Sequence, residues 1–150
     1  MTPRLAWALA LGWMVLIAAA SHQSAWQGPA SASGLPLADK LDHLAEFALL
    51  GALLRNAVAR HHPLPAVAPA LFVLALGASY GALDELHQSL VPERSVELGD
   101  WLADAVGVAL GSFAFSRYEL LRSRTTTHSR SSVARKKPSR GPRDWPSSAR

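Results

Sequence analysis

Cysteine is absent from the 150-residue chain. Without thiols the chain forms no disulfide, has no thiolate nucleophile and offers no cysteine-based metal site. Positive charge is also scarce over most of the chain, because residues 1–115 carry five Lys or Arg against nine Asp or Glu. The last 35 residues carry ten Lys or Arg against two acids. The pI near 10.1 therefore reflects this C-terminal segment and does not indicate a nucleic-acid surface on the body.

Long apolar runs are plentiful, and there are four of them. The third, Ala66–Leu83, has no charged residue and almost no polar face, unlike a core helix of a soluble bundle. Crossing the hydrocarbon takes about 20 helical residues, with roughly 17 tolerated. The sequence therefore predicts an all-α, polytopic membrane protein, a small bundle of about four transmembrane helices. The expected helices are residues 5–21, 41–59, 66–88 and 99–121.

The first run has a second interpretation. Arg4, the apolar stretch and Ala18–Ala20 resemble a secretory signal with a small-residue cleavage site. The stretch is long enough to remain as an anchor, so we expect it to stay in the protein. In either case the segment directs the chain to a membrane.

Basic residues near the ends of the runs predict the orientation. Arg4, Arg55, Arg60 and Arg117 lie on one side of a four-helix serpentine, and Lys and Arg favour the cytoplasmic side. Both termini are therefore expected in the cytoplasm, in a multi-pass protein of the inner or plasma membrane. We expect a transmembrane domain over 1–122 and a basic, disordered tail over 123–150, whose charge suits lipid headgroups better than RNA.

This topology places all nine acids of the body in the outer half or on the outer surface. An ionised carboxylate inside the bilayer costs ~3 kcal/mol, so such residues usually mark a functional site. The candidate catalytic residues are His43, Asp84, Glu85 and Asp100. The candidate ligand-binding residues are Asp39, Lys40, Glu46, Gln88, Arg94 and Asp104.

The same residues resemble the VanZ-like family of small bacterial membrane proteins. The matching positions fall in three blocks with order and spacing kept: Asp39, Lys40, His43 and Gly51; Asp84, Glu85, Gln88, Pro92 and Arg94; Asp100, Asp104 and Gly107. Asp104 stands where the family often has Asn, which adds a charge. The resemblance implies a protein of the bacterial cell envelope. The family is named for a protein linked to teicoplanin resistance, and the resemblance supplies no reaction.

Two functions of different classes remain open. In the first, the site binds or acts on a phosphate-bearing lipid or glycolipid, such as an undecaprenyl-linked precursor, at the outer leaflet. Arg94 and Lys40 would hold the phosphate, His43 would be a general acid or base, and Asp84, Glu85 and Asp100 would orient them or bind a divalent cation. In the second, the polar groups form a structural network in an accessory protein.

Two further alternatives are weaker. A di-metal centre could use His43 with Glu46 and Asp84 with His87, but histidine is sparse, so no metal or cofactor is expected. A proton- or ion-coupled transporter would use intramembrane carboxylates, but four helices are few without a homo-oligomer. The expected partners are membrane lipids, with no nucleic acid.

Overall fold

The computed structural model describes residues 1–22, 37–62, 67–91 and 96–136, with side chains up to residue 124. In these ranges every regular element is a helix: α1 Pro3–Ser21, α2 Ala38–Ala59, α3 Val67–Gln88 and α4 Leu98–Lys136. Met1–Tyr118 forms one compact unit, and Glu119–Arg150 forms a second.

Helix boundaries follow the local sequence. α1 begins after Thr2, whose Oγ1 accepts a hydrogen bond from the Leu5 backbone N–H at 3.3 Å, and Pro3 occupies the first turn. α2 begins after Leu37, which has a left-handed backbone with φ of 58°. Its polar first turn contains Asp39 and Lys40, so the helix starts three residues before the predicted Leu41.

Three of the helices are long and apolar enough to cross a membrane: Pro3–Ser21, Val67–Gln88 and Leu98–Arg124 within α4. α2 has the length, at 22 residues, but it is more polar because it carries Asp42, Glu46 and Arg55. The prediction of an all-α polytopic membrane bundle is confirmed.

The C-terminal segment differs from the expectation as far as Lys136. α4 continues there as a helix, although residues from 123 onward were expected to lack regular structure. Ala, Arg, Lys and Ser are permitted in helices, so a segment can remain helical without an apolar face. In the second unit, Arg122 Nη1 lies 3.5 Å from Glu119 Oε1, one turn apart. Residues 137–150 lie outside the described ranges.

The bundle is apolar outside and polar inside. Leu71, Leu83 and Phe113 are each at least 60% exposed, whereas Arg55, Glu85 and Asp104 are at most 4% exposed. Lipid is the solvent that favours this distribution. The apolar core lies between the helices and is formed by Ala10, Ile17, Phe47, Leu50, Leu54, Val58, Val73 and Val108.

α2 and α4 run parallel and pack against each other at glycines. A Cβ at Gly51 would collide with the Val108 backbone, and one at Gly111 would collide with the Ala48 carbonyl. A Cβ at Gly107 would likewise collide with the Leu44 carbonyl. These three glycines, the α2–α4 glycine contact, let the two backbones approach as small residues do in membrane helices.

Aromatic side chains join the remaining helices through backbone carbonyls. Trp13 Nε1 of α1 donates to the Glu46 carbonyl of α2 at 2.9 Å, and Trp101 Nε1 of α4 donates to the Ala78 carbonyl of α3 at 3.0 Å. The Tyr80 hydroxyl of α3 donates to the Met14 carbonyl of α1. Buried Trp and Tyr need such acceptors, so these contacts fix how the helices lie against one another.

Candidate functional site at the polar end

Polar side chains from all four helices meet at one end of the bundle. This polar end consists of Ser21, at the end of α1, and residues 37–46, 84–91 and 96–104. Hydrogen bonds connect α1 with α3, α2 with α4, and α3 with the residues just before α4. The serpentine topology places these helix ends together, and their polar groups avoid lipid by pairing inside the bundle.

Lys40 is surrounded by three carboxylates. Its Nζ donates to Asp100 Oδ1 at 2.7 Å, to Glu97 Oε2 at 2.8 Å and to Asp39 Oδ2 at 3.0 Å. An ammonium group has three N–H donors, so all three are used. Asp100 is the buried member of this Lys40 cluster, with a side chain 10% exposed, whereas about half of the Asp39 side chain is exposed. The cluster joins α2 to α4.

Asp84 accepts two hydrogen bonds from neighbouring side chains. Its Oδ2 accepts hydrogen bonds from Ser21 Oγ at 2.8 Å and from Gln88 Nε2 at 3.0 Å. Gln88 lies one helical turn beyond Asp84, as the sequence spacing predicted. All three residues are buried. This group ties the end of α1 to α3.

His43, Glu85 and Asp104 form a second acidic group, here called the His43 triad. His43 Nδ1 lies 3.0 Å from Asp104 Oδ1, and the Glu97 backbone N–H donates to Glu85 Oε2 at 2.9 Å. One nitrogen or oxygen from each member of the triad lies within 4.8 Å of the other two. The triad therefore brings α2, α3 and α4 to a single point.

Two carboxylate oxygens of the triad are buried and receive no hydrogen bond from the described residues: Glu85 Oε1 and Asp104 Oδ2. Asp104 is 0% exposed and Glu85 is 4% exposed. The carboxylate of Asp104 lies against Gly81, where an added Cβ would be 2.8 Å from Oδ2. An unsatisfied buried acceptor costs about 1–3 kcal/mol, more when charged. The triad is thus a place where a cation would lower the energy.

The chemistry of the triad suits a divalent cation. Carboxylate oxygens are the preferred ligands of Mg²⁺ and Mn²⁺, and imidazole nitrogen extends the range to Zn²⁺. The Lys40 cluster has a matching set of three carboxylates, Asp39, Glu97 and Asp100, whose oxygens also lie within 4.8 Å of one another. There the protein supplies its own cation, the Lys40 ammonium. In the triad the only basic group is the imidazole of His43.

The structure brings nine of the ten predicted site residues to the polar end; the tenth, Arg94, lies outside the described residues, as does Pro92. Glu46 is half-buried one turn beyond His43, and its backbone carbonyl accepts from Trp13. The roles assigned to these residues in binding or catalysis stay predictions.

The ligand pairs of the di-metal alternative are not the residues that converge. His87 Nε2 lies 3.1 Å from His22 Nδ1, and Asp84 accepts from Ser21 and Gln88. The carboxylates that join His43 come from α3 and α4. The spacing of residues within one helix could not predict these contacts, because they depend on how neighbouring helices are rotated about their axes.

Two contributors were not predicted as site residues. Glu97 was predicted only to lie with the other acids in the outer half or on the outer surface, yet its side chain accepts a hydrogen bond from Lys40 and its backbone N–H donates to Glu85. Ser21 was predicted as the last residue of the first helix but not as a site residue, and its Oγ donates to Asp84. The signal for Glu97 was its position three residues before Asp100, close to the start of α4.

A family model matches most of the chain. The model described as VanZ/LLP1 matches residues 6–122, a segment that contains every residue of the polar end. The chain belongs to the VanZ/LLP1 family. Neither the curated proteins nor the solved structures gave a match. Together with the three membrane-crossing helices, the family assignment makes this chain a VanZ-like multi-pass membrane protein, as its sequence predicted.

Proposed function

We propose that this VanZ/LLP1 protein binds the phosphate of a phosphate-bearing lipid or glycolipid at the outer leaflet, through a divalent cation held by the His43 triad. The observation that carries the proposal is the pair of buried carboxylate oxygens, Glu85 Oε1 and Asp104 Oδ2, that no described group satisfies. A bound cation would neutralise them and present remaining coordination positions to a phosphate.

The charge balance of the polar end explains why a cation is needed. The described residues of the polar end have Lys40, His43 and His87 as basic groups against eight carboxylates: Asp39, Asp42, Glu46, Asp84, Glu85, Glu97, Asp100 and Asp104. This excess of negative charge repels a bare phosphate. Lys40, a predicted phosphate ligand, already donates to three carboxylates, so it is poorly placed to capture an anion directly. A divalent cation reverses the local charge at the triad.

His43 gives the site a group for proton transfer. Its Nδ1 is paired with Asp104, an arrangement that fixes the orientation of the ring. If the bound lipid is also processed, the two carboxylates of the triad would hold the cation, and the ring nitrogen of His43 that does not face Asp104 would be free to act as a general acid or base. The link to teicoplanin resistance, which the family resemblance suggests, belongs to this hypothesis.

A second candidate function, a structural network in an accessory protein, is favoured by a different observation. The Lys40 ammonium donates three hydrogen bonds within the protein, and Asp84 Oδ2 accepts two. We therefore divide the polar end into two parts. The groups around Lys40 and Asp84 hold the helices together, and the His43 triad binds the cation.

The test uses the full chain in nanodiscs loaded with a polyprenyl phosphate, or with the matching polyprenol, and measures lipid retention by native mass spectrometry. Wild type should retain the phosphate lipid with Mn²⁺ and lose it with EDTA. Glu85→Gln, which keeps the shape and the Glu97 hydrogen bond, should lose retention in both conditions. Asp39→Asn, in the exposed part of the Lys40 cluster, is the matched control and should behave as wild type.

Three outcomes oppose the proposal. Equal retention with Mn²⁺ and with EDTA would show that no cation is involved. Equal retention of the phosphate lipid and the polyprenol, or a Glu85→Gln variant indistinguishable from wild type, would support the structural network instead.

A further inference from the structure

A buried arginine lies at the opposite end of the bundle. Arg55 of α2 is 2% exposed, and its Nε donates to Ser116 Oγ of α4 at 3.0 Å. Ser116 Oγ in turn donates to the Ser112 carbonyl at 2.9 Å. Arg55 Nη1 is buried and has no acceptor among the described residues. A guanidinium group is always charged, so this site holds a positive charge without a counter-ion from the described part of the chain.

The position of the Arg55 side chain indicates that this residue does more than set the orientation of the protein in the membrane. Arginines near the ends of membrane helices usually extend to the interface, where the charged group reaches water. Arg60, one turn later, does so: it is exposed and donates from Nη2 to Asn56 Oδ1. Arg55 instead turns inward between the helices. Burying an unpaired guanidinium costs free energy, and an anion bound to Arg55 would offset that cost.

A cleft beside Arg55 is open to the lipid-facing surface. It has a volume of about 440 Å³ and is lined by Arg55, Ser112 and Ser116 at its polar side. Its apolar side consists of α3 and α4 residues that include Leu71 and Phe113, which are 60% and 64% exposed. One buried cation next to an apolar wall is complementary to an anionic amphiphile.

We propose that this cleft is a second lipid site, which binds the phosphate of an anionic phospholipid on Arg55 with an acyl chain along Leu71 and Phe113. The planar guanidinium is suited to phosphate because it donates two parallel N–H bonds. Arg55 lies four residues before the end of α2, about 6 Å along the helix axis, which is the depth of the headgroup boundary. The predicted orientation puts this end at the cytoplasmic leaflet, where anionic lipids are concentrated.

The proposal is independent of the divalent cation, and its test uses lipid retention in nanodiscs of phosphatidylglycerol or of phosphatidylcholine. Wild type should retain phosphatidylglycerol about tenfold better, as one charge-assisted hydrogen bond would provide. Arg55→Met should lose this preference, and the exposed Arg60→Met should keep it. EDTA should have no effect, which separates this site from the triad.

A second variant leaves the arginine in place. Ala109 lines the cleft and is exposed, so Ala109→Phe should fill it and reduce retention even if Arg55→Met does not fold. Equal retention of the two lipids by wild type would overturn the proposal, as would unchanged retention in Ala109→Phe. Complete displacement of the lipid by millimolar inorganic phosphate would show a site for the free anion and not for a lipid.

Discussion

The two ends of this small bundle each bury charged atoms that lack a hydrogen-bond partner, but the charges are of opposite sign. At the polar end, buried carboxylate oxygens of Glu85 and Asp104 receive no hydrogen bond from the described residues. At the other end, buried Nη1 of Arg55 finds no acceptor among them. At the surface of a soluble protein, water would form hydrogen bonds to such groups, whereas lipid offers none. The comparison teaches that unpaired charge inside a membrane bundle indicates the sign of a ligand: we propose a cation at one end and an anion at the other.

The same comparison separates structure from binding within the polar end. Lys40 and Asp84 have several partners each, and these contacts connect α2 with α4 and α1 with α3. The His43 triad has a similar geometry, but two of its carboxylate oxygens receive no hydrogen bond from the described residues. Acidic residues alone therefore do not indicate a ligand site, because their hydrogen bonds must also be accounted for.

The largest expected effect concerns the side of the membrane that each end faces. The chain has no cysteine, so single cysteines can be introduced at two exposed positions, Ser89→Cys at the polar end and His62→Cys at the Arg55 end. With a membrane-impermeant maleimide and intact cells, Ser89→Cys should label almost completely and His62→Cys only after permeabilisation. The reverse pattern would invert the orientation, and labelling of both in intact cells would contradict opposite faces.

Opening the α2–α4 glycine contact should disturb both ends at once. In Gly111→Ala the new methyl group collides with the Ala48 carbonyl, so we expect a loss of up to about 3 kcal/mol in stability. Cation binding and phosphatidylglycerol retention should both weaken. Gly12 of α1 has nothing within 4 Å of an added Cβ, so Gly12→Ala is the control and should melt at or above the wild-type temperature in detergent. Equal melting temperatures for the two variants would contradict the close packing.

A smaller effect should distinguish the Lys40 cluster from the triad. Lys40→Met leaves the buried Asp100 without its cation and should cost about 2 kcal/mol, less than for a fully buried pair because Lys40 is one-quarter exposed. Asp39→Asn, at an exposed member of the same cluster, should change stability by less than about 0.5 kcal/mol. Thermal melting in detergent measures both. If Lys40→Met melts as wild type, the cluster does not lock α2 to α4.

Apolar runs were sufficient to predict the fold. Their bounds gave α1 to within two residues at its start and α3 to within one, because lipid enforces continuous apolar stretches. Polar or charged residues at helix ends carry no such signal. α2 therefore begins earlier than predicted, at Ala38, and α4 continues to Lys136 through a segment whose composition suggested no regular structure.

The sequence predicted that the candidate residues share one end of the bundle, but it did not predict which of them contact one another. The sequence could place His43, Glu85 and Asp104 at the same end because the topology orders the helix ends. It could not show that His43 contacts Asp104 and not Asp39, since this depends on the rotation of α2 against α4. Arg55 was interpreted as an orientation signal, and only the tertiary structure shows that its side chain is buried and bound to Ser116.

The most direct test of the account is a Mn²⁺ titration of the purified full chain, followed by electron paramagnetic resonance of the free ion. Wild type and Arg55→Met should each bind one Mn²⁺ with the same affinity. Glu85→Gln should bind at least about 100-fold more weakly, because loss of a direct ligand should exceed the 10- to 100-fold cost of losing a supporting group. Equal Mn²⁺ binding by wild type and Glu85→Gln, or no binding by wild type, would contradict the claim that the triad holds a cation.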